Sequence, residues 1–234
     1  MEFLITTFQR ALALLLQPSP DIWAACLVSL LVAAAAIGLA LVIGAPLGAY
    51  LALKVWPRQN KTRTTILGSA IGCPPVLIGL VISLLCWPGQ GLLGQVPLFH
   101  TPAALVITHT LVCLPIIAGF TMAGIDRLSH QLVLKGLALG ASPGQLVRLI
   151  LWEIRYVLAM AVLVSAGRIL SEVGAALMTG GSIPGYTQTM ATGIALATVQ
   201  GDPAVALALG MVLFLAVLLF SGLLTCINRR GVRL

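Results

Sequence analysis

Charge is what this sequence has least of. Only 8% of its 234 residues are Asp, Glu, Lys or Arg, against 59% hydrophobic, and the mean hydropathy is +1.09. A soluble fold of this length cannot hide so much apolar surface. The composition therefore excludes a water-soluble globular domain and indicates a polytopic membrane protein. Metal-type cysteine spacing is absent as well. Cys26, Cys73, Cys86, Cys113 and Cys226 are widely separated and mostly lie inside apolar runs, as small buried hydrophobes do. No G-x-x-x-x-G-K-[ST] sequence occurs, which excludes a P-loop nucleotide site in this chain. The N-terminus has no basic n-region, since Glu2 is its first charge, so a cleavable signal is not expected. The +7 net charge suggests nucleic acid only until its positions are plotted. The basic residues collect at the borders of apolar runs, and no nucleic-acid partner is expected.

Those runs define the organisation. Residues 3–16 are apolar but shorter than the roughly 20 residues a span needs, and Gln17-Pro18-Ser19-Pro20 closes them. They predict an interfacial N-terminal segment over 1–20. Residues 22–53 carry no charge and exceed a ~30 Å hydrocarbon core, so the first span is expected to tilt or bend, with Pro46 as a cause. The uncharged stretch 64–125 holds two spans, separated by a loop from Trp87-Pro88-Gly89 to Pro102. Pro74-Pro75 and Pro115 interrupt these two spans and free backbone groups that neighbours or pathway water must satisfy. Pathway lining and the general abundance of Gly and Pro in membrane helices both account for them. Further runs cover about 153–177 and 203–227. The fold class expected is an all-α integral membrane protein of five spans over 21–228, with an insert at 126–151 and a basic tail at 229–234.

Orientation follows from the basic residues. Lys54, Arg58, Lys61 and Arg63, then Arg127, Lys135, Arg148 and Arg155, then Arg229, Arg230 and Arg233 fall on one side. That places eleven of thirteen basic residues inside, with Arg10 outside and Arg168 in the membrane. The loops at 87–101 and 178–202 contain no Lys or Arg. The N-terminus is expected outside and the C-terminus inside.

The insert contains Lys135-Gly136-Leu137-Ala138-Leu139-Gly140-Ala141-Ser142-Pro143-Gly144-Gln145. Local rules predict two short helices. Asp126 or Ser129 can cap the first, whose apolar positions include Leu132, Leu134, Leu137 and Leu139. Gly140 stops it in a left-handed cap. Ser142 then caps the second, with Pro143 at its first position and Gln145 completing a capping box. A rigid elbow results, fit either to press on another protein or simply to connect two spans.

In the fourth span Arg168 and Glu172 stand four residues apart, on one face of a continuous helix with Ser171 beside them. Each charge alone costs about 2.5–3.5 kcal/mol at mid-membrane on insertion scales, so the spacing predicts a pair. A gate element and a structural pin both fit it. The backbone N–H groups and hydroxyls of Thr179, Gly180, Gly181 and Ser182 could contact an oxyanion, or the segment could only connect. Hydrolytic chemistry is disfavoured. His109, Arg168, Ser171 and Glu172 are the groups available, and they include no His/Asp or paired-carboxylate set. A secondary transporter is disfavoured by the lack of a visible inverted repeat in five spans.

Gly136 to Ser142 resembles the EAA loop of type I ABC importer permeases, which docks into a cleft of an ATP-binding subunit. Gly140 and Ile150 match that pattern. Leu134-Lys135-Gly136 replaces its Glu-Ala-Ala, and Trp152-Glu153 replaces its Leu-Pro. Ser171-Glu172-Val173-Gly174-Ala175 through Gly180-Gly181-Ser182 to Thr187 closely resembles the corresponding segment of tungstate ABC transporter permeases. Molybdate and sulfate permeases carry a related Gly-Glu-Phe-Gly-Ala version and are the alternatives. The resemblance covers roughly residues 64–228.

What it implies is a pore subunit in a prokaryotic cytoplasmic membrane, embedded in lipid, with the type I ABC importer fold. Lys135 to Ser142 would couple it to the ATPase. Arg168, Ser171, Glu172, Thr179, Gly180, Gly181 and Ser182 would line the path or gate. The chain itself would hold no catalytic residue, metal or cofactor, since ATP and Mg would be bound by the partner ATPase. A second copy of the chain and a periplasmic or extracellular oxyanion-binding protein would complete the assembly.

Overall fold

The computed structural model of the chain describes residues 1–17, 19–54, 61–128 and 130–229. Arg58, Ser129, Arg230 and Arg233, all used in the sequence reading, lie outside the described residues. Helix α1 (Glu2–Leu16) is the short N-terminal helix. It packs along α11 (Pro203–Arg229), and Arg10 Nη2 sits 3.5 Å from Asp202 Oδ2 just before α11 begins.

Helix α2 (Pro20–Lys54) runs through Pro46 for 35 residues. At ~1.5 Å per residue it is about 50 Å long, well beyond a ~30 Å core. Its main partner is α5 (Pro102–Arg127), which likewise continues through Pro115. Small residues explain their approach. Ala33, Ala36 and Ala40 of α2 are buried, and a Cβ on Gly48 would collide with the Ala118 carbonyl and Thr121 of α5. Lipid tails are as apolar as leucine, so membrane helices gain little from hydrophobic burial against each other. Close backbone contact through a Gly44-x-x-x-Gly48 face supplies van der Waals energy instead.

Between them, α3 (Lys61–Gly72) and α4 (Pro75–Leu85) meet at a 79° bend. Pro74 is extended (φ −62°, ψ 124°), and Pro75 is the first residue of α4. Two missing N–H groups and the steric restriction before each proline break the ladder there. After α4, turns lead to Thr101, whose hydroxyl caps α5 by accepting from Ala104 N at 3.3 Å. Beyond α5 come α6 (His130–Ala138), α7 (Pro143–Glu153) and α8 (Arg155–Leu170), with a 66° bend between the last two. Asp126 falls in the last turn of α5.

The apolar run at 153–177 is not one helix. Helix α8 stops at Leu170, and a seven-residue helix, α9 (Gly174–Gly180), starts afresh. Nor is 178–202 only a loop, because α10 (Met190–Val199) lies within it, with Met190 to Gly193 buried. Among the described residues three helices, α2, α5 and α11, are each long and apolar enough to cross a membrane. The bent pairs α3–α4 and α7–α8 bring the spans to as many as five.

Candidate functional site

Two regions carry the residues singled out in the sequence, and each is built by local chemistry. The elbow comes first. Gly140 has φ +75°, the left-handed conformation that an L side chain resists. Ala141 N–H donates to the Gly136 carbonyl at 3.0 Å and Gly140 N–H to that of Leu137 at 3.0 Å. This is a Schellman cap, which satisfies the last carbonyls of α6. One residue on, Ser142 N–H donates to Gln145 Oε1 at 2.8 Å and Gln145 N–H to Ser142 Oγ at 3.4 Å. Stop and start thus adjoin with no slack between them. Buried Gly136 holds the two helices together, since a Cβ there would come within 2.9 Å of Leu146 Cδ1.

The elbow's outer surface is apolar. Leu137 is 53% exposed and Leu139 88% exposed, flanked by exposed Lys135, Ala138, Gly140 and Ser142, with Ala141 half-buried. Its inner end is buried. Ile150 and Ile154 are in one cluster with Met122 and Ile125 of α5 and Ala49 and Ala52 of α2. The two caps thus join α6 to α7, whose far end packs into the cluster shared with α2 and α5.

The second region lies where α8 ends, and here the structure corrects the sequence reading. Arg168 and Glu172 do not form a pair. Glu172 has left the helix, and its Oε1 accepts from Ala175 N–H at 3.0 Å, satisfying the start of α9. A nearby backbone donor offers the carboxylate a charge-assisted bond without ordering a long arginine. Arg168 is exposed on α8. Ser171 Oγ donates back to Gly167 O at 2.8 Å, closing the last turn. Packing fixes the break, because Gly79 of α4 lies against Ala175 and Gly174 against Val76. Ser83 Oγ also donates to the Met178 carbonyl at 3.1 Å.

The hydroxyls expected to face an anion are used inside the protein. Thr179 Oγ1 donates to Ala175 O at 2.9 Å and Ser182 Oγ to Thr192 Oγ1 at 3.0 Å, and both residues are buried. Gly180 is buried against Leu105, and Gly181, at φ +69°, lies under the His100 ring. The sequence reading missed the rest of this network. Thr187 Oγ1 donates to the Gly180 carbonyl and accepts from Ile183 N–H. Thr189 and Thr192 form the capping box of α10, and Met190 N–H donates to Ser29 Oγ of α2 at 2.7 Å. The signal was present, since Thr189 followed three residues later by Thr192 is a capping pattern with threonine in place of glutamate. Beside it His109 is buried, its Nδ1 2.7 Å from the Leu105 carbonyl. With Ser29 and Thr189 it lines a cavity of about 10 Å³, scarcely room for one water. The segment fastens α2, α5, α9 and α10 together through these hydrogen bonds and the packing of Gly180 on Leu105.

The chain resembles known proteins in sequence and in fold. The chain is 31% identical to the tungstate uptake system permease protein TupB of Peptoclostridium acidaminophilum, over 92% of this chain and 93% of that one. It is 30% identical to a probable anion ABC transporter permease protein of Haloferax volcanii, over 82% and 84%. Its fold matches that of a chain in the inward-facing MetNI methionine ABC transporter, with a TM-score of 0.71 at 19% identity over 91% and 98%. Residues 40–232 match the family model described as the inner membrane component of binding-protein-dependent transport systems, and the chain belongs to that family of multi-pass transport subunits.

Proposed function

We propose that the chain is the translocating subunit of an ATP-driven oxyanion importer, and that its cargo is tungstate. The observation that carries this reading is the likeness, over nearly the whole length of both chains, to a permease named for tungstate uptake. The elbow supports the coupling role, because it offers water a rigid surface of exposed leucines that a soluble ATPase would cover. ATP and Mg would be held by that partner, and closure of the ATPases would push α6. The push passes along α7 to Ile150 and Ile154, and α2, α5 and α8 rock between access states. An external binding protein would supply the selective anion site, so the pore needs only to open around the released ion.

A homodimer fits the exposed Arg168. A charge facing lipid costs about 2.5–3.5 kcal/mol, whereas a second copy or a water-filled path between copies would remove that cost. We place the N-terminus outside and the C-terminus inside. The contacts of Arg10 with Asp202 and of His100 with Gly181 support this by drawing the segments without basic loops to one end of the molecule.

The test is metal-resolved uptake by mass spectrometry, in cells lacking and regaining the chain, with nanomolar tungstate and molybdate and ordinary sulfate supplied. Restored tungstate accumulation alone is the expected result. Restored molybdate or sulfate instead would keep the mechanism and replace the cargo. No change in any of the three would overturn the oxyanion reading.

A further inference from the structure

We propose that Arg127, Arg148 and Arg155, with Trp152 and Tyr156, bind the phosphate headgroup of an anionic phospholipid where α5, α7 and α8 leave the membrane. Arg155 is held in place by its neighbours. Its guanidinium carbon stands 4.6 Å from the Trp152 ring centroid and 4.5 Å from that of Tyr156. Its Nη1 donates to the Trp152 carbonyl at 2.8 Å and its Nη2 to Tyr156 Oη at 3.1 Å. Rings and acceptors orient the group while leaving further N–H donors open. Among the described residues none of the three arginines forms an ion pair. Trp152 is 65% exposed, and an exposed indole beside arginines at the end of a span is the composition of a headgroup layer.

Two grooves are lined by these residues, and the Arg155–Tyr156 hydrogen bond links a residue of one to a residue of the other. One, of about 770 Å³, runs along α7 past Val147, Leu151 and Trp152 and includes Arg148 and Arg155. The other, of about 360 Å³, lies between α5 and α8, and Phe120, Val157 and Met160 line it with Arg127 and Tyr156. Each groove is therefore apolar along its walls and carries arginine among its lining residues. Phe120 lies about 10 Å along α5 from Arg127, and Met160 about 7 Å along α8 from Arg155, by helix rise. An acyl chain can reach that depth beside the spans, whereas a soluble partner cannot. Charge and depth together select a lipid with an anionic head over a free oxyanion or the face of an ATPase.

Native mass spectrometry of the full chain, alone and with its ATPase, tests this against phosphatidylglycerol and phosphatidylcholine. Wild type should retain phosphatidylglycerol preferentially, and R148Q and R155Q should each lower that preference roughly fivefold, the worth of one surface arginine on an anionic membrane. R155K keeps the charge but loses the stacked plane, and should lie between them. Unchanged detergent melting temperatures would show that the variants are folded. Equal retention of both lipids by wild type would overturn the site. So would displacement of the lipid by 10 mM inorganic phosphate, which would assign the arginines to a free oxyanion. Loss of the lipid whenever the ATPase is bound would assign the face to that partner.

Discussion

Gly140 and Glu172 show how much a single position can decide. A Cβ at Gly140 would meet nothing within 4 Å, so only its φ of +75° demands glycine. The cost of Gly140→Val is therefore backbone strain, of order 1–3 kcal/mol, felt at the cap and not in the core. Uptake should fall at least tenfold with normal membrane levels, measured by transport assay and immunoblot together; normal uptake would sink the coupling role of the elbow. Glu172 tests the second region. Its contact is a cap on α9, so Glu172→Gln, which keeps an acceptor oxygen, should be tolerated. Glu172→Leu should cost about 1 kcal/mol, the usual worth of a capping side chain. A thermal double-mutant cycle of Arg168→Leu with Glu172→Leu should give a coupling energy near zero. Coupling above about 1 kcal/mol would restore the ion pair that the spacing predicts on a continuous helix.

At the scale of elements, the α2–α5 contact and the broken spans behave differently. Gly48 and Gly38 are both in α2, yet a side chain at Gly48 strikes the Ala118 carbonyl whereas one at Gly38 meets nothing within 4 Å. Gly48→Val should destabilise the protein by roughly 1–3 kcal/mol, the range for overpacking, and Gly38→Val should change little. Scanning fluorimetry in detergent measures both, and equal shifts would contradict the packing described here. The elements that sequence rules located well are those whose signals are local. Gly140, Ser142 and Gln145 formed the Schellman cap and capping box they predict, and Pro74-Pro75 broke its span. Helix α9 was not legible, and α10 was marked only by the Thr189/Thr192 capping pattern. Where α8 ends, Gly174 meets Val76 and Glu172 meets an amide that is free only because α9 starts there. No window of the sequence contains α4 beside α9.

Across the whole molecule, coupling requires that the elbow's exposed leucines be buried by a partner and that its inner end be immobile. Leu139→Asp should reduce ATPase co-purification at least tenfold without altering the detergent melting temperature, because Leu139 touches little of its own chain. Undiminished co-purification would show that the ATPase docks elsewhere. Sequence by itself determined that this protein lives in lipid, where its apolar runs lie and where the elbow turns. Those outcomes depend on transfer energy and backbone sterics acting within a turn or two of chain. Tertiary structure alone decided that Arg168 and Glu172 part and that the hydroxyls of Thr179 and Ser182 turn inward. It also decided that Ser29, 161 residues from Met190, completes the fastening. A polar group in a membrane must find a partner wherever folding places one, and sequence spacing does not record which segment arrives first within hydrogen-bonding distance.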